Sequence, residues 1–437
     1  MNDELIALPV SGESFLLRRG KHTVLVDGGY NSTTLAKKID KIFPKLDFID
    51  IIVCTHADAD HSKGLAKFLD AWSPSMSSRK AHSKCNAGQF WLPGRWADVL
   101  PDLVTAPRKF IDGLISELDD FISENSEKPD LSEAFKDYCE QLNKDILKSL
   151  KPNMLSDLDG QSVDVNINDL WDEHSIVDTD LSSQLNVPEW FAIIQDEFEK
   201  KEKEADKAFT SAYSKIRYRK IKCKIGEIIA KHWIKAIDTA KNIHAIAVQA
   251  AKYNVPIRWF DYECYSHTRK PVGGERNFLI PLNSVELSPP MRTSLGYLAR
   301  LSVVNQECLT FLAPPSLNRM GVVFCGDSPM GDGPSYTNSF LKNIPPPMSP
   351  IVATAPHHGS DSNKVAYHHL SKWPVFCWVR TGGTKKHPGN TFKSLWCSKR
   401  ICTHCPQSGK KIKIMASVRM CSNFYFVVKS GYDCTCR

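Results

Sequence analysis

Three apolar runs in this chain each end in side chains that bind metal ions, and that repetition constrains the fold more than any other feature. The run IDIIVC passes into THADADHS, which puts His56, Asp58, Asp60 and His61 within six positions directly after a β-branched stretch. GVVFC ends at Gly326 and Asp327, and IVATAP ends at His357 and His358. Short apolar runs bounded by Gly, Pro and Asp read as strands buried on both faces. At the end of such a strand the backbone turns, and imidazole and carboxylate groups of different reach can converge on a cation. One such end is more often a turn than a ligand, but three together indicate a site. Gly326 and Gly359 let the backbone approach an ion closely.

Around these runs the chain is organised in blocks. Residues 14–17, 23–26 and 49–54 read as strands and 33–42 as an amphipathic helix. From 108 to 240 strand patterns give way to Glu/Lys-rich helical periodicity, as in LSEAFKDYCEQLNKDILKSL, with an acidic stretch at 153–187 that reads as a long loop. Strand-like segments then return as VPIRWFDY, FLIPL, SLGYLARLSVV, CLTFLAP, GVVFCGD, PIVATAPHH and VFCWVRT. The expected fold class is α/β. A strand-rich domain (1–107 and 241–395) is split by a charged helical insertion (108–240) and followed by a basic, Cys-rich segment (396–437).

Charge is segregated along the chain. Residues 111–200 carry 23 Asp+Glu against 6 Lys+Arg, a net of −17, which leaves +24 on the other 347 residues. A basic body attracts polyanions, so nucleic acid is the expected partner, and the acidic segment is a candidate gate or docking surface for a protein. The run KIRYRKIKCK supplies Lys215, Arg217, Arg219 and Lys220 as candidate substrate contacts, against the plainer reading of a solvated helix face. WLPGRW offers Trp91 and Trp96 either as stacking surfaces or as core.

Fourteen cysteines in a chain of 437 do not make a disulfide scaffold, because Cys54, Cys308, Cys325 and Cys377 sit singly in apolar stretches and read as buried thiols. Cys402 and Cys405 have the C-x-x-C spacing of a zinc knuckle, and with Cys434 and Cys436 they form a candidate structural zinc site. No apolar run approaches the ~20 residues of a membrane span, and MNDELIALPV lacks the basic start of a signal peptide, so a cytoplasmic location is expected.

Taken in order, SFLLRRGKHTVLVDGG, THADADHSKGL, NQECLTFL ahead of FCGD, APHHGS and KKHPGN resemble the metallo-β-lactamase-fold hydrolases. Within that group they are most similar to the soluble domain of the ComEC competence proteins and its stand-alone relatives. The resemblance implies an αββα sandwich with one or two divalent cations (Zn²⁺ or Mn²⁺, with Mg²⁺ an option) at the upper edge of the sheets. It assigns His56 and Asp58 to one metal, Asp60 and His61 to the other, Asp327 as the bridge, His357 as a further ligand and His358 as its alternate. Asp60 could also orient the nucleophile, His387 could assist the leaving group, and Asp27 reads as a structural carboxylate. Asp58 stands where the commonest loop of the superfamily has a second histidine, and Asn305 where many members have another ligand histidine. The second departure favours oxygen-rich ligation.

The expected activity is metal-dependent hydrolysis, with two cations acidifying the water they share to attack a phosphodiester of DNA or RNA. A small phosphodiester such as a cyclic nucleotide, or an ester or amide, is the alternative substrate. A metal-stabilised scaffold subunit is the alternative of another class. By analogy with stand-alone relatives, a bacterial defence system is the implied setting.

Overall fold

In the computed structural model, described at residues 3–72, 87–127, 131–148, 188–222, 225–287, 296–301, 305–316, 319–383, 386–405, 415–420, 427–430 and 434–436, the apolar runs become strands of two stacked sheets. The first sheet contains β1 (Asp3–Ala7), β2 (Phe15–Arg19), β3 (His22–Val26), β4 (Ile49–Val53), β5 (Ala87–Pro93), β6 (Ile257–Asp261) and β8 (Val285–Leu287). Beyond β1 its edge is extended by β16 (Ala416–Met420) and β17 (Val427–Ser430). The second sheet runs in the order β15 (Arg400–Cys402), β14 (Val375–Arg380), β13 (Ile351–Thr354), β10 (Gly321–Phe324), β9 (Phe311–Ala313) and β7 (Ile280–Pro281). A separate small hairpin pairs β11 (Gly331–Asp332) with β12 (Asn338–Ser339).

The period of two along each strand explains why the runs are apolar throughout rather than alternating. Leu5, Phe15, Leu17, Val24, Val26, Ile51 and Val53 face the second sheet and meet Phe311, Val322, Phe324, Val352 and Val379. Their neighbours Ile6, Leu16, Leu25 and Ile52 point the other way, into a layer of helices. The second sheet is likewise covered on its outer face, where Val323, Ile351, Ala353 and Trp378 pack with Ala366, Tyr367 and Leu370 of the helix Lys364–Leu370. The result is helix, sheet, sheet, helix.

The helical region does not stop at residues 108 and 240. It begins before residue 108, with the helix Leu100–Thr105, and residue 240 lies inside the helix Glu227–Lys252. In Pro107–Glu124 the residues Phe110, Ile111, Leu114, Ile115, Leu118 and Phe121 fall on one face at helical spacing and are all buried. They belong to the same continuous core as the outward-facing residues of the first sheet. Trp233 of Glu227–Lys252 is fully buried and donates its indole N–H to the Leu114 carbonyl at 3.1 Å. These helices form the outer layer of the first sheet, so their removal would expose its core. The stretch 153–187 lies outside the described residues.

One further reading changes and one open alternative is decided. SLGYLARLSVV contributes the helix Tyr297–Leu301 rather than a strand, since its leucines at 298 and 301 reach the helical core. Trp91 and Trp96 are buried, Trp91 against Phe260 and Phe311 with ring centroids 4.7 and 5.6 Å away, so they are core and not stacking surfaces. Among the described residues no helix is long and apolar enough to cross a membrane.

His244 in Glu227–Lys252 is buried with its ring against Phe209, and burial pushes its pKa down to about 4 from 6.5. Between those values the unfolded chain binds a proton that the folded chain refuses, so this residue costs stability as pH falls through that window. In urea unfolding at pH 7 and pH 4.5, His244→Leu is expected to lose about 2–3 kcal/mol less on acidification than the parent. Equal losses would show that His244 does not titrate this way.

Candidate metal centre

The strand ends meet at one edge because β3 and β4 run parallel and β10 runs parallel to β13. Asp27 follows β3, His56 to His61 follow β4, Asp327 follows β10, and His357 and His358 follow β13. A further acid arrives there from the opposite direction. β2 is antiparallel to β3, so Glu13, just before β2, reaches the same edge as Asp27 just after β3. Glu13 is buried, and its N–H donates to the Asp60 carbonyl at 2.8 Å. Gly12 makes this approach possible: its φ is +87° and a Cβ there would lie 2.2 Å from the Asp60 carbonyl oxygen.

Two groups of potential ligand atoms form, each with all its members within 4.8 Å of one another. One is His56, Asp58 and Asp327, and the other is Glu13, His61, Asp327 and His358. Asp327 is common to both: its Oδ2 is 3.7 Å from His56 Nε2 and its Oδ1 is 3.2 Å from His61 Nε2. Asp58 Oδ2 is 3.7 Å from His56 Nε2. Asp60 lies outside both groups and bonds to His358 Nε2 at 2.9 Å, whereas the sequence reading placed it with His61 on one metal. His357 also lies outside them, with Nε2 3.5 Å from Asp327 Oδ2 and Nδ1 3.5 Å from Asn305 Nδ2. His387 stacks near both histidines, with ring centroids 5.6 and 5.8 Å away, and burial together with those neighbours holds its pKa down to about 4.

Beneath the ligands, the buried Asp27 carboxylate sets which ring nitrogens carry protons. Its Oδ1 accepts the Thr55 N–H at 2.8 Å, and its Oδ2 accepts the Thr55 hydroxyl at 2.8 Å and His61 Nδ1–H at 2.7 Å. With Nδ1–H held by Asp27, the nitrogen that His61 turns toward Asp327 is Nε2, the one a cation could take in place of a proton. The Thr55 hydroxyl donates to Asp27, so at 3.0 Å its oxygen accepts from His56 Nδ1–H, and His56 likewise turns Nε2 toward Asp327. His56 Nε2, His61 Nε2 and Asp327 Oδ1 are buried and make no hydrogen bond within the chain. Buried polar atoms aimed at one another without bonds fit cations between them.

Charge supports the same conclusion. Five carboxyl groups (Glu13, Asp27, Asp58, Asp60 and Asp327) surround His56, His61 and His358. Against the opposing effect of burial, His61, His358 and His56 hold Asp327 well below the usual carboxylate range. His56 and Lys235 do the same for Asp58, and Lys235 Nζ is 2.8 Å from its Oδ1. Burial raises Glu13 instead. His358 is carried up to about 10 by Asp60 and Glu13 despite burial. The His56 and His61 rings are only 4.1 Å apart, a spacing at which two imidazolium charges repel. Divalent cations would balance the carboxylates without that repulsion.

His357 and His358 both adopt positive φ, 45° and 53°, a conformation uncommon for non-glycine residues and found where a site overrides backbone preference. The turn is clamped by Arg380, whose Nε donates to the His358 carbonyl at 2.7 Å, and by the His357 N–H bond to the Gly326 carbonyl at 2.9 Å. Cys308 is a free buried thiol, and its sulfur accepts the Asp327 N–H at 3.1 Å and lies 3.4 Å from His56 Nδ1. Glu13, Thr55, Cys308, Lys235 and Arg380 were not singled out by sequence reasoning for this site.

The basic run of KIRYRKIKCK does not converge on this edge. Lys215 pairs with Asp112 at 2.5 Å, Arg219 with Asp119 and Lys220 with Glu227, while Arg217 is exposed. The acids of neighbouring helices already hold three of the four proposed substrate contacts.

The family model of the metallo-beta-lactamase superfamily matches residues 7–82, the stretch that supplies Glu13, Asp27 and His56 to His61. No curated protein matches the chain. The match and the donor set together indicate a metal-dependent hydrolase.

Asp27→Asn preserves shape but cannot accept all three bonds, because its NH2 must face either the Thr55 N–H or the Thr55 hydroxyl and His61 Nδ1. It is expected to weaken Zn²⁺ or Mn²⁺ binding by roughly 10–100-fold with circular dichroism unchanged, as measured by competition with a chelator. Unaltered affinity would remove Asp27 from this role.

Proposed function

We propose that this chain is a metal-dependent phosphodiesterase that cleaves nucleic acid, of the ComEC-like kind. The observation that carries the reading is Asp327, shared between two sets of donors at an edge reached from solvent. Asp58, Asp60 and His357 keep side-chain exposures of 23, 22 and 27% there. His56, Asp58 and Asp327 and Glu13, His61, Asp327 and His358 would hold cations that, when bound, would supply charge to a phosphoryl centre and acidify water. The protein's own groups do the rest. Asp27 and Thr55 keep His56 and His61 in the tautomers that bind metal. Asp60, partly exposed beside His358, is placed to orient a water or take its proton. His387, held neutral by its surroundings, can hydrogen-bond a phosphate oxygen. Lys235, 55% exposed at the rim, can shift from Asp58 to a substrate phosphate.

A specific observation also favours the small-phosphodiester alternative, because ion pairing of Lys215, Arg219 and Lys220 reduces the basic surface on offer to a polymer. Salt dependence separates the two readings. A polymer-binding enzyme loses affinity steeply as salt rises, and one that engages a single phosphodiester does not.

Linear, circular and single-stranded DNA and RNA, with a cyclic dinucleotide alongside, are to be incubated with the protein and Mn²⁺, Mg²⁺ or Zn²⁺. Metal-dependent cleavage of a polymer is expected. In Asp60→Ala, His61→Ala it should fall by more than the roughly 100-fold typical of losing an outer partner of a metal ligand. Cleavage of the cyclic dinucleotide alone would transfer the reading to small substrates. Equal activity in the variant would place the chemistry elsewhere.

A further inference from the structure

Far from the shared edge in sequence, four sulfurs come together. Cys402 ends β15, Cys405 closes the turn after it, and Cys434 and Cys436 return from beyond β17. All four are buried, and one sulfur from each lies within 4.8 Å of the others. The sulfur–sulfur separations are 3.9 Å for Cys402 and Cys436, 3.8 Å for Cys405 and Cys434, and 3.4 Å for Cys405 and Cys436. A disulfide needs about 2.05 Å, so none of these pairs is bridged. Four thiolates around one zinc at ~2.3 Å stand at tetrahedral corners about 3.8 Å apart, which is the spacing found.

We propose that Cys402, Cys405, Cys434 and Cys436 bind one zinc ion in a closed, all-thiolate structural site. Its place in the topology shows what it would do. After β15, on the edge of the second sheet, the chain crosses to β16, which pairs with β1 in the first sheet, and continues through β17. Residues 434–436 then come back to β15, where the Cys434 N–H donates to the Arg400 carbonyl at 3.0 Å. The zinc therefore locks a loop that spans both sheets. A tetrathiolate zinc carries a net charge of −2, and the sequence from 380 to 437 that contains its ligands has 12 Lys+Arg against one acid. The knuckle also reaches the catalytic edge. The Thr403 N–H, between two of the ligands, donates to the Arg380 carbonyl at 3.2 Å, and Arg380 clamps His358.

The wild-type protein, treated with EDTA to clear oxygen- and nitrogen-rich sites, is to be examined by zinc K-edge absorption spectroscopy and metal analysis. The expected result is one retained zinc per chain with about four sulfur neighbours near 2.3 Å, released when the thiols are mercurated. Cys397 is exposed and outside the cluster, so Cys397→Ser should leave the sulfur shell intact, while Cys405→Ser should lose or weaken it. Should Cys405→Ser fail to fold, the wild-type spectrum still decides. No sulfur shell, a mass deficit showing disulfides, or four thiols that react freely in the native protein would each overturn the site.

Discussion

The edge that gathers the candidate metal ligands depends on one buried carboxylate. Asp27 takes hydrogen bonds from the Thr55 backbone, the Thr55 hydroxyl and His61, and through Thr55 it also fixes His56. A carboxylate with no solvent exposure is tolerable only with its lone pairs occupied, and here the groups that occupy them carry the metal-binding rings. Without it, His56 and His61 could each turn the other nitrogen toward Asp327. The loop after β4 would then be a collection of donors rather than a site.

Much of this was legible in sequence, for a definable reason. Strands buried on both faces leave continuous apolar runs, and the residues that follow parallel strands must appear at a common edge. His56, Asp58, His61, Asp327 and His358 could be read that way and lie together in the structure. Glu13 followed the same geometry in reverse, because the start of an antiparallel strand lies beside the end of its neighbour. A search restricted to strand ends passed over it. Cys308 and Lys235 carried no local signal: the first looks like any core thiol, and the second belongs to a helix whose contact with the loop is set only by tertiary packing.

Charge was the least transferable inference from sequence. The −17 and +24 blocks suggested separate surfaces, one acidic and one basic. In three dimensions acids of Pro107–Glu124 and Glu227–Lys252 pair with the basic end of Glu189–Lys222, which neutralises both where they meet. Periodicity likewise identified the helices correctly, but it carries no information about what they cover. Their apolar faces complete the core of the first sheet, and Gln249 bonds to the backbone at Leu65 and Leu69, just past the loop of candidate ligands. The helical layer thus helps hold the loop that carries the ligands.

The central claim is that Asp327 is shared by two cations. Manganese tests it most directly, since Mn²⁺ is paramagnetic and prefers oxygen-rich donors to the all-sulfur cluster. In an electron paramagnetic resonance titration, two Mn²⁺ per chain should bind and show the altered spectrum of an exchange-coupled pair, and Asp327→Asn should abolish that coupling. A single uncoupled Mn²⁺ at saturation, or a coupled pair that survives Asp327→Asn, would contradict the account.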